Sequence, residues 1–423
     1  MNRQVLWIWL SLACTPGNET FGKLISHFHT AEAIFSADKN DISDIIGANA
    51  KDLEALSDKN LDKAEEIFEY CTAKNIGIVN YCDSNFPLML RSISTPPVLL
   101  YYRGKFPDFS SSFSVSIVGT RRLSDYGLNN SFSIARDLAG AGATIVSGMA
   151  IGIDGVAHAG ALSAGGITVA VLGSGIDVCY PIQHKMLARE IVKNGCVITE
   201  YAPGTAPERN NFPKRNRIIS GLSVLTLVIE GKEKSGALLT ARHAQEQGRA
   251  LYALPGNVGN PNSELTNLLI KNGAKLCVSA DDIIRDYEAQ SHGILNPFLL
   301  ANMQKADPYQ FLRAYSVSAV TQNDSVFRRT NKNVKKKKDN VQNDEHQEIK
   351  DIESVSNEPT KSLESFDGEM LKIYKRIPQN EECTIESLVD SDLPLRNVMK
   401  ALLKLEMGRF VVMLPNEKVK RKI

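Results

Sequence analysis

From residue 114 to about 285, six short apolar runs (115–118, 144–146, 168–172, 197–199, 224–229 and 250–254) recur with helix-patterned segments between them. Strand, loop, helix repeated at this spacing predicts a doubly wound, mostly parallel sheet. Right-handed crossovers then bring the C-terminal loop of every parallel strand to one edge. In an open α/β sheet that edge is where a ligand binds.

The rest of the chain divides around this α/β block. A length of 423 residues exceeds one ordinary core and predicts two or three domains. Residues 1–75 alternate helical stretches with Gly, Asn and Asp breaks and read as a small helical module; a Pro-rich joint at 94–107 leads on from it. The α/β domain is assigned 76–290, a charged and largely disordered linker 291–363, and a last unit 364–423 with three helical runs and a strand-like 410–414. The linker contains Lys335 to Lys338, whose ordinary meaning is a solvated tether.

Charges nearly cancel at net +1, so any basic surface has to be local. Seven cysteines without a C-x-x-C pair argue against a disulfide framework and a zinc site, and fit a reducing cytoplasm. The apolar stretch 5–14 imitates a signal segment, but a lone Arg3 precedes it and helical patterning follows, so a buried first helix is expected. No other run approaches the ~20 apolar residues of a membrane-spanning helix.

Four strand ends carry small residues: Gly119-Thr120-Arg121-Arg122, Ser147-Gly148, Gly173-Ser174-Gly175 and Ser235-Gly236. Without bulky side chains the backbone N–H groups and the following helix N-termini approach an anion closely. Lys214, Arg215 and Arg217, in Phe212-Pro213-Lys214-Arg215-Asn216-Arg217, supply cations for a phosphate pocket. Dinucleotide binding is disfavoured, since Gly173-Ser174-Gly175 lacks the third glycine and Ser147-Gly148 is not followed by a ribose-binding acid. Gly231 to Gly236 has the letters of a P-loop in the wrong arrangement. Asp154 and His158, one helical turn apart, are read as a capping carboxylate and a structural histidine, and Glu200 and Glu230 as anchors for rim arginines. Neither Ser174 nor Ser235 assembles a nucleophilic triad from spacing.

Taken with 147–154, Tyr180-Pro181, 235–241 and Pro255-Gly256, these blocks resemble the central domain of the DprA/Smf family of DNA-processing proteins, six blocks in order over roughly 170 residues. The resemblance implies an extended Rossmann-like domain between an N-terminal SAM/HhH-like helical module and a C-terminal winged-helix-like domain. It implies a cytoplasmic, non-enzymatic protein, without cofactor or metal, that binds and protects single-stranded DNA and loads the recombinase RecA during natural transformation or recombination. It also implies a homodimer formed through the Rossmann-like domain. Carried over by motif, the DNA-contacting positions are Arg121, Lys214, Arg215 and Arg217, with Phe212, Asn216, Gly119, Thr120, Ser147, Gly148, Gly173, Ser174, Gly175, Ser235 and Gly236 shaping the pocket. Two departures stand out: Ile151 where many members carry a basic residue, and Glu230-Gly231 where many have Glu-Ala.

A single strand presents repeated phosphates, so a rim of cations and glycine loops can track it without reading base edges. The competing reading is a nucleotide-cleaving Rossmann-like enzyme of the nucleoside monophosphate glycosidase type; its usual P-G-G-x-G-T-x-x-E block is absent. Groove binding through the last unit is a weaker alternative, since its third helical run offers only Arg396, Lys400 and Lys404.

Overall fold

The computed structural model describes residues 2–318 except 49, 292, 304 and 305, and in the C-terminal stretch 368–378, 383–389, 398, 401, 402, 405, 411–414 and 418–421. The chain separates into two compact units, 1–340 and 341–423.

The first unit begins with six helices: α1 (Arg3–Ala13), α2 (Thr20–Phe28), α3 (Ala31–Ser36), α4 (Lys39–Ile46), α5 (Leu53–Ser57) and α6 (Asp62–Ala73). Asn2, Thr30 and Asp38 accept backbone N–H groups at the starts of α1, α3 and α4, which is why those helices begin where they do. The signal-like stretch is a core helix: Val5 to Leu10 are all buried, and Phe21 packs edge-on against Trp7 at 6.4 Å.

The sheet comes next as β1 (Gly77–Asn80), β2 (Leu99–Gly104), β3 (Ser114–Val118), β4 (Thr144–Ser147), β5 (Thr168–Val171), β6 (Cys196–Thr199), β7 (Leu225–Val228), β8 (Ala250–Ala253) and β9 (Lys275–Leu276). Its order is β1-β2-β6-β5-β4-β3-β7-β8-β9. The strands from β6 to β9 run parallel, and β1 and β2 add an antiparallel edge that the Pro-rich joint concealed in the sequence. Interspersed are α7 (Leu88–Arg91), α8 (Asp125–Gly140), α9 (Ile153–Ser163), α10 (Lys185–Asn194), α11 (Asn211–Gly221), α12 (Gly236–Glu246), α13 (Glu264–Lys271) and α14 (Ala280–Tyr287). The order reverses at β3, which pairs with β4 on one side and β7 on the other, so their C-terminal ends open the crevice expected of a topological switch point.

Two polar residues in the central strand have a structural use. Ser116 donates to the Ile219 carbonyl at 2.7 Å and Ser114 to that of Leu222, tying β3 to the end of α11. The segment containing the three clustered cations is itself the helix α11, a feature that cation clustering alone does not reveal.

The expected linker needs correction at its start. Residues 297–302 form a 3-10 turn and Pro308–Ala314 forms α15, with Leu312 and Val317 buried and Phe311 stacked 6.0 Å from Phe132 of α8. The apolar residues Phe311, Leu312 and Tyr315, spaced on a helical face, outweigh the rising charge. The remainder of the linker, including the lysine run, lies outside the described residues.

In the second unit, α16 (Gly368–Arg376) accompanies the antiparallel sheet β10 (Cys383–Thr384), β12 (Lys418–Arg421), β11 (Val411–Leu414), in that order. Of the three helical runs expected in this unit, the middle one, at 385–389, is instead a 3-10 turn, Glu386–Leu388. Val398, Ala401, Leu402 and Leu405 are buried at helical spacing; Arg396, Lys400 and Lys404 fall outside the described residues.

Helices α8 and α9 approach through Gly160, where an added Cβ would lie 2.5 Å from the Phe132 carbonyl oxygen and 3.0 Å from the Ala135 methyl. Propensity alone favours alanine in a helix by ~1 kcal/mol. Overpacking reverses the sign, so Gly160→Ala is expected to destabilise the protein by about 1–3 kcal/mol in urea unfolding.

Candidate functional site

The crevice at the ends of β3, β4 and β7 is a cleft of about 670 Å³. Phe212, in the first turn of α11, stands in its wall. Tyr180 lies 5.4 Å from it at 45°, and the guanidinium carbons of Arg121 and Arg215 each lie 5.9 Å from its ring centre. Arg121 and Arg209 are exposed, whereas Arg215 is buried. The cleft thus pairs an accessible aromatic surface with two solvent-facing cations and one fixed cation.

Arg215 is held from below. Its Nη1 donates to the Gly148 carbonyl at 2.8 Å and to the Val171 carbonyl, and its Nε to Asn216 Oδ1 at 3.3 Å. Burial lowers its pKa to about 10, opposed by the nearby Asp154 carboxylate. Asp154 in turn accepts the Gly148 N–H at 3.1 Å; burial raises its pKa and the Arg215 charge lowers it. Gly148 sits between the two, because a Cβ there would stand 2.7 Å from both Arg215 Nη2 and Asp154 Oδ2.

Eight of the residues carried over from sequence line the cleft: Gly119, Thr120, Arg121, Phe212, Arg215, Asn216, Ser235 and Gly236. Gly236 begins α12, so a helix N-terminus faces the cleft as expected. The other seven do not line it. Ser147 donates to the Ile117 carbonyl at 2.6 Å, Ser174 to that of Val178 at 3.0 Å, and the Gly175 N–H to that of Thr205 at 2.9 Å. Gly173 leaves room for the Phe212 ring, and Gly148 supports Arg215 through its carbonyl.

Lys214 and Arg217 correct the sequence reading most clearly. On a helix, positions two apart point about 200° away from each other. Arg217 therefore leaves the cleft and forms a buried ion pair with Glu200 at 2.5 Å, both side chains 5% exposed. The Lys214 stem lies beside Gly17 of the helical module. Glu200 anchors an arginine as anticipated, but Glu230 does not: it accepts from the Ser124 N–H and hydroxyl and from Asn262 Nδ2 at 3.3 Å. Asp154 and His158 likewise part company. Thr168 Oγ1 donates to the Ile145 carbonyl at 2.8 Å, so it accepts the His158 Nδ1–H at 2.7 Å and fixes the tautomer. Arg209 was missed because it lies ahead of the cation cluster, on the approach to α11.

Residues 77–288 match the family described as DNA recombination-mediator protein A. Protein Smf of Synechocystis sp. is 36% identical over 287 residues, spanning 67% of this chain and 72% of that protein. DNA processing protein DprA of Bacillus subtilis is 37% identical over 225 residues, 53% of this chain and 76% of that one. The solved structure of DprA from Streptococcus pneumoniae superposes with a TM-score of 0.58 at 31% identity, covering 68% of this chain and 98% of that one.

The geometry separates cations that hold the fold from cations that face solvent. Arg217→Ala strands a buried carboxylate and is expected to cost about 3–5 kcal/mol in denaturant unfolding. Arg121→Ala is expected to stay within ~0.5 kcal/mol of wild type in the same assay. Burial also drives the His158 pKa down to about 3 from an ordinary 6.5, so the unfolded chain takes up a proton that the folded one refuses. Its contribution is present above pH 6.5 and is lost on acidification toward pH 3, with a slope approaching ~1.4 kcal/mol per pH unit. Stability measured at successive pH values falls less steeply in His158→Gln.

Proposed function

The chain belongs to the DNA recombination-mediator protein A family, and we propose that its cleft holds single-stranded DNA during recombination without transforming it chemically. The observation that carries this reading is the Phe212–Tyr180 pair set among Arg121, Arg209 and Arg215. Cations take phosphates; the exposed Tyr180 ring and the half-buried Phe212 ring take unstacked bases, each worth ~1–3 kcal/mol. A duplex keeps its bases stacked within the helix and cannot use the rings in this way, so the cleft favours a single strand.

Protection of the strand and its delivery to RecA are the steps proposed to come next, with a homodimer formed through the Rossmann-like domain and a cytoplasmic location. The helical module and the C-terminal unit are read as SAM/HhH-like and winged-helix-like accessory domains. Among the described residues no helix is long and apolar enough to cross a membrane.

Three guanidinium groups around one cleft correspond to a slope of about −2 in log K against log salt, at ~0.7 per phosphate neutralised on a single strand. Binding of a labelled strand of about 40 nucleotides, and of its duplex, is the direct test. Arg121→Ala/Arg209→Ala is expected to flatten the slope by ~1.4, and Phe212→Ala to weaken strand binding by ~1–3 kcal/mol. Equal affinity for duplex and strand, or indifference to these substitutions in folded protein, overturns the reading. Release of a base from a nucleoside monophosphate by the wild type would favour the enzyme alternative.

A further inference from the structure

Beyond the family match, which ends at residue 288, the chain turns back over α8 and α9 and reaches the loop beneath the cleft at Ser318. Asn296 N–H donates to the Ala141 carbonyl at 2.9 Å, and α15 packs through Phe311 on Phe132. Both backbone groups of Ser318 are engaged. Its carbonyl accepts the Gly152 N–H at 3.2 Å, and its own N–H donates to His184 Nε2 at 3.1 Å.

The histidine also reaches the loop itself, through a 2.9 Å contact between Nδ1 and the Met149 carbonyl. A carbonyl can only accept, so Nδ1 carries the proton and Nε2 is free to accept from Ser318. Burial keeps the ring neutral, its pKa below the usual histidine range. The loop it grips needs a grip: Met149 has φ +60°, a conformation that non-glycine residues rarely hold unaided. From Met149 the chain of contacts runs directly to Gly148, whose carbonyl holds Arg215. From Gly152 it runs to the next residue, whose N–H donates to the Thr120 carbonyl at 3.2 Å, beside Arg121.

We propose that residues 308–318 are a strap, and His184 a positioning residue, that together hold the loop 148–152 in the conformation presenting Arg215 and Arg121 to a bound strand. The proposal rests on the single-strand reading of the cleft. Neither Ser318 nor His184 lines the cleft; both act through the loop.

Full-length wild type is compared with Phe311→Ala, which loosens the strap at a residue that does not line the cleft, with His184→Ala, and with Ser318→Pro, which removes the N–H donor to His184 and also fixes the backbone at 318 and restricts Val317. The expected result is a five- to tenfold loss of strand affinity, a salt slope reduced by up to ~1.4 as two guanidinium groups disengage, and faster hydrogen exchange at the Gly152 and Ile153 amides. The effect of Arg121→Ala is expected to shrink in the His184→Ala background, because the two changes act on one contact. A role confined to stability lowers the melting temperature but leaves the affinity and salt slope of the folded protein unchanged. That outcome, with exchange showing the strap released, overturns the proposal.

Ser318→Pro keeps the test informative if the core substitutions prevent folding. The nitrogen resonance of the Arg215 Nε–H gives a readout without DNA. If wild type fails to bind the strand, the DNA reading falls, while movement of that resonance in Ser318→Pro still decides whether the strap positions Arg215; an unmoved resonance sinks the strap.

Discussion

The buried pair Arg217–Glu200 sets the rotation of α11 about its axis, and the arrangement of the cleft depends on that rotation. With Arg217 committed to the carboxylate at the end of β6, Phe212 and Arg215 are turned toward the switch point and Lys214 toward the helical module. The serines of β3 secure the far end of the same helix. Desolvating two charges makes such a pair a weak source of stability but a strong constraint on geometry, since neither partner tolerates being left alone. One helix thereby carries a structural guanidinium on one side and a cleft-lining one on the other.

Arg215 occupies a middle position between those roles. It is as deeply buried as Arg217, yet it borders the cleft, with its positive charge partly offset by Asp154 rather than cancelled in a direct ion pair. Three backbone or side-chain oxygens fix its orientation before any ligand arrives. A cation held in this way loses little freedom on binding, which complements the exposed and adaptable Arg121 and Arg209.

Much of this was legible in the sequence, for identifiable reasons. Six of the seven parallel strands announced themselves because burial on both faces demands nearly continuous apolar runs, and the first helix because the apolar stretch 5–14 follows a lone Arg3 and runs on into helical patterning; β9, two exposed residues, left no such mark. The antiparallel β1 and β2 were hidden by the neighbouring prolines, which break the strand pattern between and after them. Cation clustering located α11 but not its helicity, and without the helical period there was no means of telling that Arg215 and Arg217 diverge. Glu230 was misassigned because a strand-end carboxylate can be satisfied by hydroxyl and amide donors as well as by arginine. The segment 296–318 was submerged in the polar, charge-rich composition of residues 319–362; its few apolar residues acquire meaning only against the partner surface on α8 and α9.

The cleft opens to solvent, with Tyr180, Arg121 and Arg209 exposed among the residues that line it. A tunnel can be loaded only by threading from a terminus. An open cleft accepts an interior stretch of polymer laid in from the side and gives it up the same way. On the proposed reading of the cleft, a covalently closed strand would be as accessible as a fragment with two ends, and its release would require no sliding to a terminus.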